Sequence, residues 1–238
     1  MKLKDMNMKL PAIAATVIFA SSLASGADIT GTITLKGTPP PEKEITELKS
    51  DVNCGPLRTE VPKTRFYVAG PKGELADVFV SIKGLSGKST GEQSPPAVID
   101  QAGCEYLPYV QAIQTNQKLV VKNSDPVLHN VHPTPTAPGN KEENKAMMPK
   151  GPDIAFAFTK PENFLRFKCD VHPWMFAYVC VADHPYFSVS GKDGTYRIAN
   201  VPPGKYTIEA IHRKAGSVSS EIEVKDENVK LDFTLELK

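Results

Sequence analysis

Residues 164–175 read FLRFKCDVHPWM, an alternating strand from Phe164 to Cys169 that runs straight into Cys169-Asp170-Val171-His172-Pro173-Trp174-Met175. Bulky apolar residues alternating with polar ones mark a half-buried strand. The sulfur of Cys169 is therefore fixed at a strand end, while the residues after it make a loop. A thiolate, an imidazole three residues later and a thioether three residues beyond that converge on one ion if the loop turns sharply. Pro173 stiffens the turn by fixing φ. Thiolate, imidazole and thioether form a soft to borderline donor set, and copper, above all in its reduced state, is the metal that suits it. A His2Cys site with a weak axial methionine needs one more imidazole. The stretch KLVVKNSDPVLHNVHP (118–133) places His129 and His132 just beyond a strong strand ending at Asn123, and by position either one can serve.

Outward from this point the chain reads as all-β. Short runs rich in branched and aromatic residues recur between glycine and proline punctuation: ITGTITL (29–35), DVFVSI (77–82), YVQAI (109–113), KLVVKN (118–123) and DIAFAF (153–158). With 21 prolines and 16 glycines in 238 residues, long helices are disfavoured. A sandwich or barrel fits this spacing. Residues 84–96 and 133–152 read as loops, and within the second EENKAMM (142–148) is the one stretch expected to make a helical turn. Its Met147 and Met148 are expected to be exposed. From residue 187 a new pattern begins: FSVSGKDGTYRIANVPPGKYTIEAIHRKAG, then VSSEIEV and VKLDFTLEL. Four strands are few for a sandwich with two faces to bury, so the early strand at 29–35 is expected to complete it. The division expected is a metal module over 28–186 and a smaller β-sandwich over 187–238.

The N-terminus combines Lys2, Lys4 and Lys9 with an apolar run from Ala12 to Ala20 and small residues at 24–27. This reads as a secretory signal peptide over residues 1–26, too short for a bilayer span, which predicts export to the periplasm and no transmembrane span in the mature chain. Its removal takes away three lysines and one aspartate and shifts the formal charge from +1 to −1. Lys plus Arg (28) balances Asp plus Glu (27), so no basic field points to nucleic acid. No general base beside an activated hydroxyl, no paired carboxylates and no phosphate-cradling glycine loop emerges, and an enzyme is not expected.

The N-x-D-x-x-x-H-N setting of His129 and the C-x2-H-x2-M loop of Cys169, His172 and Met175 resemble the cupredoxins, the small blue-copper proteins, in the short-loop form of amicyanin. The resemblance covers roughly residues 98–187. It implies a Greek-key sandwich holding one copper ion that cycles between Cu(II) and Cu(I), with His129, Cys169 and His172 as equatorial ligands and Met175 as the axial one. In this family the residue after the first histidine braces the cysteine loop, a role that Asn130 fits and that favours His129 over His132. It implies also that Trp174, Phe167 and Phe176 keep water away and that His132 lies just outside the ligands. The function implied is a periplasmic type 1 copper protein that passes single electrons, with a c-type cytochrome or a periplasmic dehydrogenase as partner. A copper chaperone or storage protein, and a structural module of an envelope complex, are the alternatives. Residues 187–238 resemble the transthyretin-like and carboxypeptidase-regulatory β-sandwich modules.

With Cys169 committed to metal, an oxidising compartment favours pairing two of the other three cysteines. Cys54 (DVNCGP) and Cys104 (QAGCEY) both lie in loops and are the expected disulfide. Cys180 falls in the strand MFAYVCV as a buried free thiol; a Cys169–Cys180 bridge would destroy the site. His184 and His212 are expected to be satisfied interface histidines.

Overall fold

The computed structural model describes residues 26–237, so the signal peptide expected over residues 1–26 lies, apart from Gly26, outside the described residues. The chain is nearly all β and builds two pairs of facing sheets, each around its own apolar core.

The terminal sandwich is organised by strand Ala27–Lys36, whose alternate residues are buried along almost its whole length. It lies between antiparallel Thr195–Val201 and two short parallel strands, Val229–Lys230 and Phe233–Glu236. The early strand thus sits inside the sheet it was expected to complete. The facing sheet runs Phe187–Val189, Phe79–Ile82, Gly204–His212, Gly216–Val224. Ile29, Ile33, Val80, Ile198, Ile208 and Phe233 fill the space between. The Asp193-Gly194 turn feeds this sandwich: Gly194 has φ +74°, and a Cβ there would lie 2.5 Å from the Ile33 carbonyl oxygen, so only glycine fits.

The strand at 79–82, grouped by sequence with the metal module, pairs instead with Gly204–His212 of the terminal sandwich. All four of its residues are buried. Such a strand needs cover on both faces: Val80 and Ile82 enter the sandwich core, while Phe79 joins Cys180 and Ala182 in a cluster between the two units. An apolar run without alternation does not show which sheet will take it.

The second unit packs the sheet Val110–Gln114, Phe176–Ala182, Glu162–Lys168, His129–Thr134, Lys145–Met147 against the sheet Tyr106–Leu107, Ala97–Gln101, Leu119–Asn123, Ile154–Phe156. Its core includes Ile99, Tyr106, Leu119, Phe167, Met175 and Val179. The helical turn expected in EENKAMM is absent. Lys145–Met147 is a strand paired antiparallel with His129–Val131, because Met147 gains burial there and the Asn123 side-chain amide donates to the Met147 and Met148 carbonyls. Met147 is therefore not an exposed loop residue, whereas Met148 is.

Segment 37–74 was not assigned by the strand pattern. It leaves the terminal sandwich, inserts Leu48 and Cys54 into the core of the second unit through a short helix (Thr46–Ser50) and a 3-10 turn (Gly55–Leu57), and returns to pair Glu74 with Thr34. Among the described residues no helix is long and apolar enough to cross a membrane.

Candidate metal centre

The site forms where two antiparallel neighbours end. Register pairs His132 with Lys168, so the start of strand His129–Thr134 lies beside the chain leaving Lys168. The loop after Cys169 is closed by two backbone bonds, Cys169 N–H to the Met175 carbonyl (3.0 Å) and Met175 N–H to the His172 carbonyl (2.9 Å). Asn130 clamps it from the facing strand. Its Oδ1 accepts from Asp170 N–H (2.7 Å), Val171 N–H (3.3 Å) and the Cys169 thiol (3.2 Å), and its Nδ2 donates to Asn144 Oδ1 and Asp170 Oδ2.

This architecture brings His129, Cys169 and His172 together. Their donor atoms all lie within 4.8 Å of one another, and all three residues are buried. His129 Nδ1 is 3.0 Å from His172 Nδ1, which is 3.8 Å from Cys169 Sγ. Two imidazole nitrogens this close need a proton or a cation between their lone pairs. His129 Nε2 meets the Asp125 carboxylate at 2.9 Å and donates to it, leaving Nδ1 as the atom offered to the centre. Met175 is fully buried in the same core as Cys169.

Electrostatics suit a cation. Burial pushes the Cys169 thiol up, but the His129 imidazole and the Asn130 N–H outweigh it and hold the thiol below its ordinary range. Burial likewise acts on Asp125, yet the bonds from His129 and from the N–H groups of Cys104 and Gly103 keep its carboxyl low. For His129 burial disfavours a proton, and the Asp125 hydrogen bond, followed by Cys169, reverses this. Burial, then the charge of His129, holds His172 low, as a neutral imidazole with a lone pair to give. A sulfur whose thiol is held low and a carboxylate thus flank a place that favours positive charge. Sulfur plus two imidazole nitrogens with a buried methionine nearby fits copper.

The remaining sequence-derived residues divide. The Trp174 ring packs 5.2 Å from that of His172, with Nε1 donating to the Cys104 carbonyl (3.2 Å), and Phe167 is wholly buried in the core beneath. Phe176 is only half-buried and, with Phe66, Tyr109, Pro173 and Trp174, lines a cavity of about 480 Å³ on the outer face of the loop. His132 is not among the converging donors. It bridges Asp170 Oδ2 (2.6 Å) and Glu142 Oε1 (2.7 Å), tying the long loop to the cysteine loop. His184 and His212 are buried far from any such grouping: His184 Nε2 bonds the Ile82 carbonyl, and His212 Nδ1 accepts from the N–H groups of Lys214 and Ala215. Among the described residues neither joins a metal-competent cluster.

Cys54 and Cys104 form a disulfide with Cα atoms 5.7 Å apart. Cys180 is a free buried thiol, its pKa pushed up to about 12 by burial, and its sulfur receives the Phe164 N–H freed by an irregularity in strand Glu162–Lys168. Sequence reasoning missed two acids. Asp125 lies four residues before His129, inside the quoted motif, and that spacing was its signal. Asp51, whose Oδ1 accepts from Asn53 and Cys54 N–H, reaches His172 from a segment in which the sequence singled out only Cys54.

No protein-family model matches the chain, and no curated protein matches it. Among solved structures it is similar to an oxidised mutant of amicyanin (21% identity, TM-score 0.33, 43% of this chain and 97% of that one). It is also similar to a purple cupredoxin from Nitrosopumilus maritimus (22%, TM-score 0.30, 36% and 99%). A third similarity is to a copper-containing nitrite reductase from Thermus scotoductus SA-01 (20%, TM-score 0.33), where the match spans 37% of this chain but only 22% of the enzyme.

Proposed function

We propose that this chain is a periplasmic type 1 copper protein that carries single electrons between redox partners, a c-type cytochrome or a dehydrogenase being the class of partner. The observation that carries the reading is the buried convergence of His129 Nδ1, His172 Nδ1 and Cys169 Sγ, with Asp125 holding the far nitrogen of His129. His129, Cys169, His172 and Met175 would hold the ion. Copper supplies the Cu(II)/Cu(I) couple when bound.

The chain's own part is to keep the donors still. Asn130 and the two backbone bonds of the 169–175 loop fix the thiolate and the second imidazole, so little has to rearrange when charge changes. Phe167 and Met175 exclude water. Leu128 and Val171, both exposed, adjoin His129 and His172 in the chain and offer an apolar rim to a partner. A donor set buried on all sides suits a carrier better than an enzyme, which needs an open position.

The test is to load residues 27–238 with Cu(II) and record absorption and electron paramagnetic resonance together. An intense thiolate-to-copper band is expected, lost in Cys169→Ser and in His129→Ala but kept in His132→Ala. Weak binding without that band refutes the carrier reading and favours a copper chaperone.

A further inference from the structure

The Cys54–Cys104 bridge is part of the wall of the metal centre. Cys54 has its sulfur within 4.8 Å of an imidazole nitrogen of His172 and a carboxylate oxygen of Asp51. Cys104 has the same relation to His129 and Asp125. Both cysteines are fully buried, and Trp174, stacked near His172, donates to the Cys104 carbonyl. As a disulfide these sulfurs are neutral and poor donors. As thiols they are the same soft, ionisable donor as Cys169, and they already lie beside the two imidazoles that complete the copper set.

We infer that a chain whose Cys54–Cys104 bridge has not yet closed carries a second site for a soft monovalent cation, Cu(I), built on these two thiolates. The inference deepens the copper reading and rests on it for the shared imidazoles, while the thiol pair stands by itself. Cα atoms 5.7 Å apart let both sulfurs turn onto one ion while no bond joins them. In that state Cu(I) displaces the two thiol protons; when the bridge closes instead, two electrons and two protons pass from Cys54 and Cys104 to an external disulfide, which leaves as its dithiol. Burial keeps a reductant away from the closed bridge in the folded chain. The dithiol state therefore belongs to a chain whose bridge has not yet formed. Closing the bridge withdraws two competing thiols from the wall, so a clean single-copper centre requires oxidation first and copper second.

The test titrates Cu(I), supplied as its bicinchoninate complex, into the bridged chain and into chain kept as the dithiol. The bridged chain takes one equivalent and the dithiol chain two. Dithiol Cys169→Ser takes one, and the double variant Cys54→Ser/Cys104→Ser returns to one. The second equivalent slows alkylation of Cys54 and Cys104 at least tenfold, a readout that needs no variant. Equal uptake by bridged and dithiol chains, a second equivalent that survives in the double variant, or unchanged alkylation overturns the inference. Loss of the bridged chain's Cys169-dependent equivalent counts against the carrier reading instead, so the two failures are separable.

Discussion

Replacing Asn130 with alanine tests whether the loop after Cys169 is held by its neighbours or by its own turn. The amide oxygen accepts from Asp170 N–H at 2.7 Å and Val171 N–H at 3.3 Å, both half-buried, and from the Cys169 thiol. The short bond contributes about 1.5 kcal/mol and the long one about 0.5 kcal/mol. With the amide nitrogen's contacts to Asn144 and Asp170 also lost, the cost is about 2–3 kcal/mol. At a urea slope of about 2 kcal/mol per molar, the unfolding midpoint of the metal-free chain falls by about 1 M. Asn130→Asp keeps the accepting oxygen but sets a carboxylate against Asp170 Oδ2, 3.2 Å from the present Nδ2, and against Asn144 Oδ1, so repulsion there offsets the bonds that are kept. Bound copper should also leave faster from the alanine variant. A midpoint shift for alanine below about 0.25 M refutes the clamp.

Three further predictions follow from separate parts of the molecule. Breaking the Cys54–Cys104 bridge, which spans 50 residues, costs about 4 kcal/mol of unfolding free energy by loop entropy, and calorimetry of the Cys54→Ser/Cys104→Ser variant should show a lowered melting temperature; an unchanged one is against it. Burial drives His212 down to about 4, so an unfolded chain takes up a proton near pH 6.5 that the fold refuses. The His212 contribution to stability is thus full above pH 6.5 and declines by about 3 kcal/mol as pH falls to 4, and His212→Asn should flatten the pH dependence by that amount in urea titrations at a series of pH values. Asp125→Asn removes the charge behind His129 and favours Cu(I), so the reduction potential should rise by about 60 mV, a tenfold change in relative affinity, with a fall being the contrary result.

Much of the site was legible because it is local. Cys169, His172 and Met175 lie within seven residues, and a strand followed by a proline-stiffened turn allows them few arrangements. His129 needed the family pattern to separate it from His132. The structure adds a physical reason: His132, three residues along the strand, is held between Asp170 and Glu142. Asp51 was not legible because its role depends on segment 37–74 folding back across the second unit, a long-range path that no periodicity encodes. Strand Phe79–Ile82 was recognisable as a strand, but its burial on both faces hid which sheet would receive it. Lys145–Met147 went astray for the opposite reason. A stretch with helix-forming residues was recruited as an edge strand by pairing with His129–Val131, where tertiary contacts outweigh propensity.

The chain leaves the terminal sandwich and returns to it twice, first through segment 37–74 and then through the second unit between Ile82 and Phe187. An apolar cluster of Phe79, Cys180 and Ala182 lies where the two units meet. Any surface that grips the terminal sandwich thereby also holds the unit that carries His129, Cys169 and His172, through four crossings of one chain.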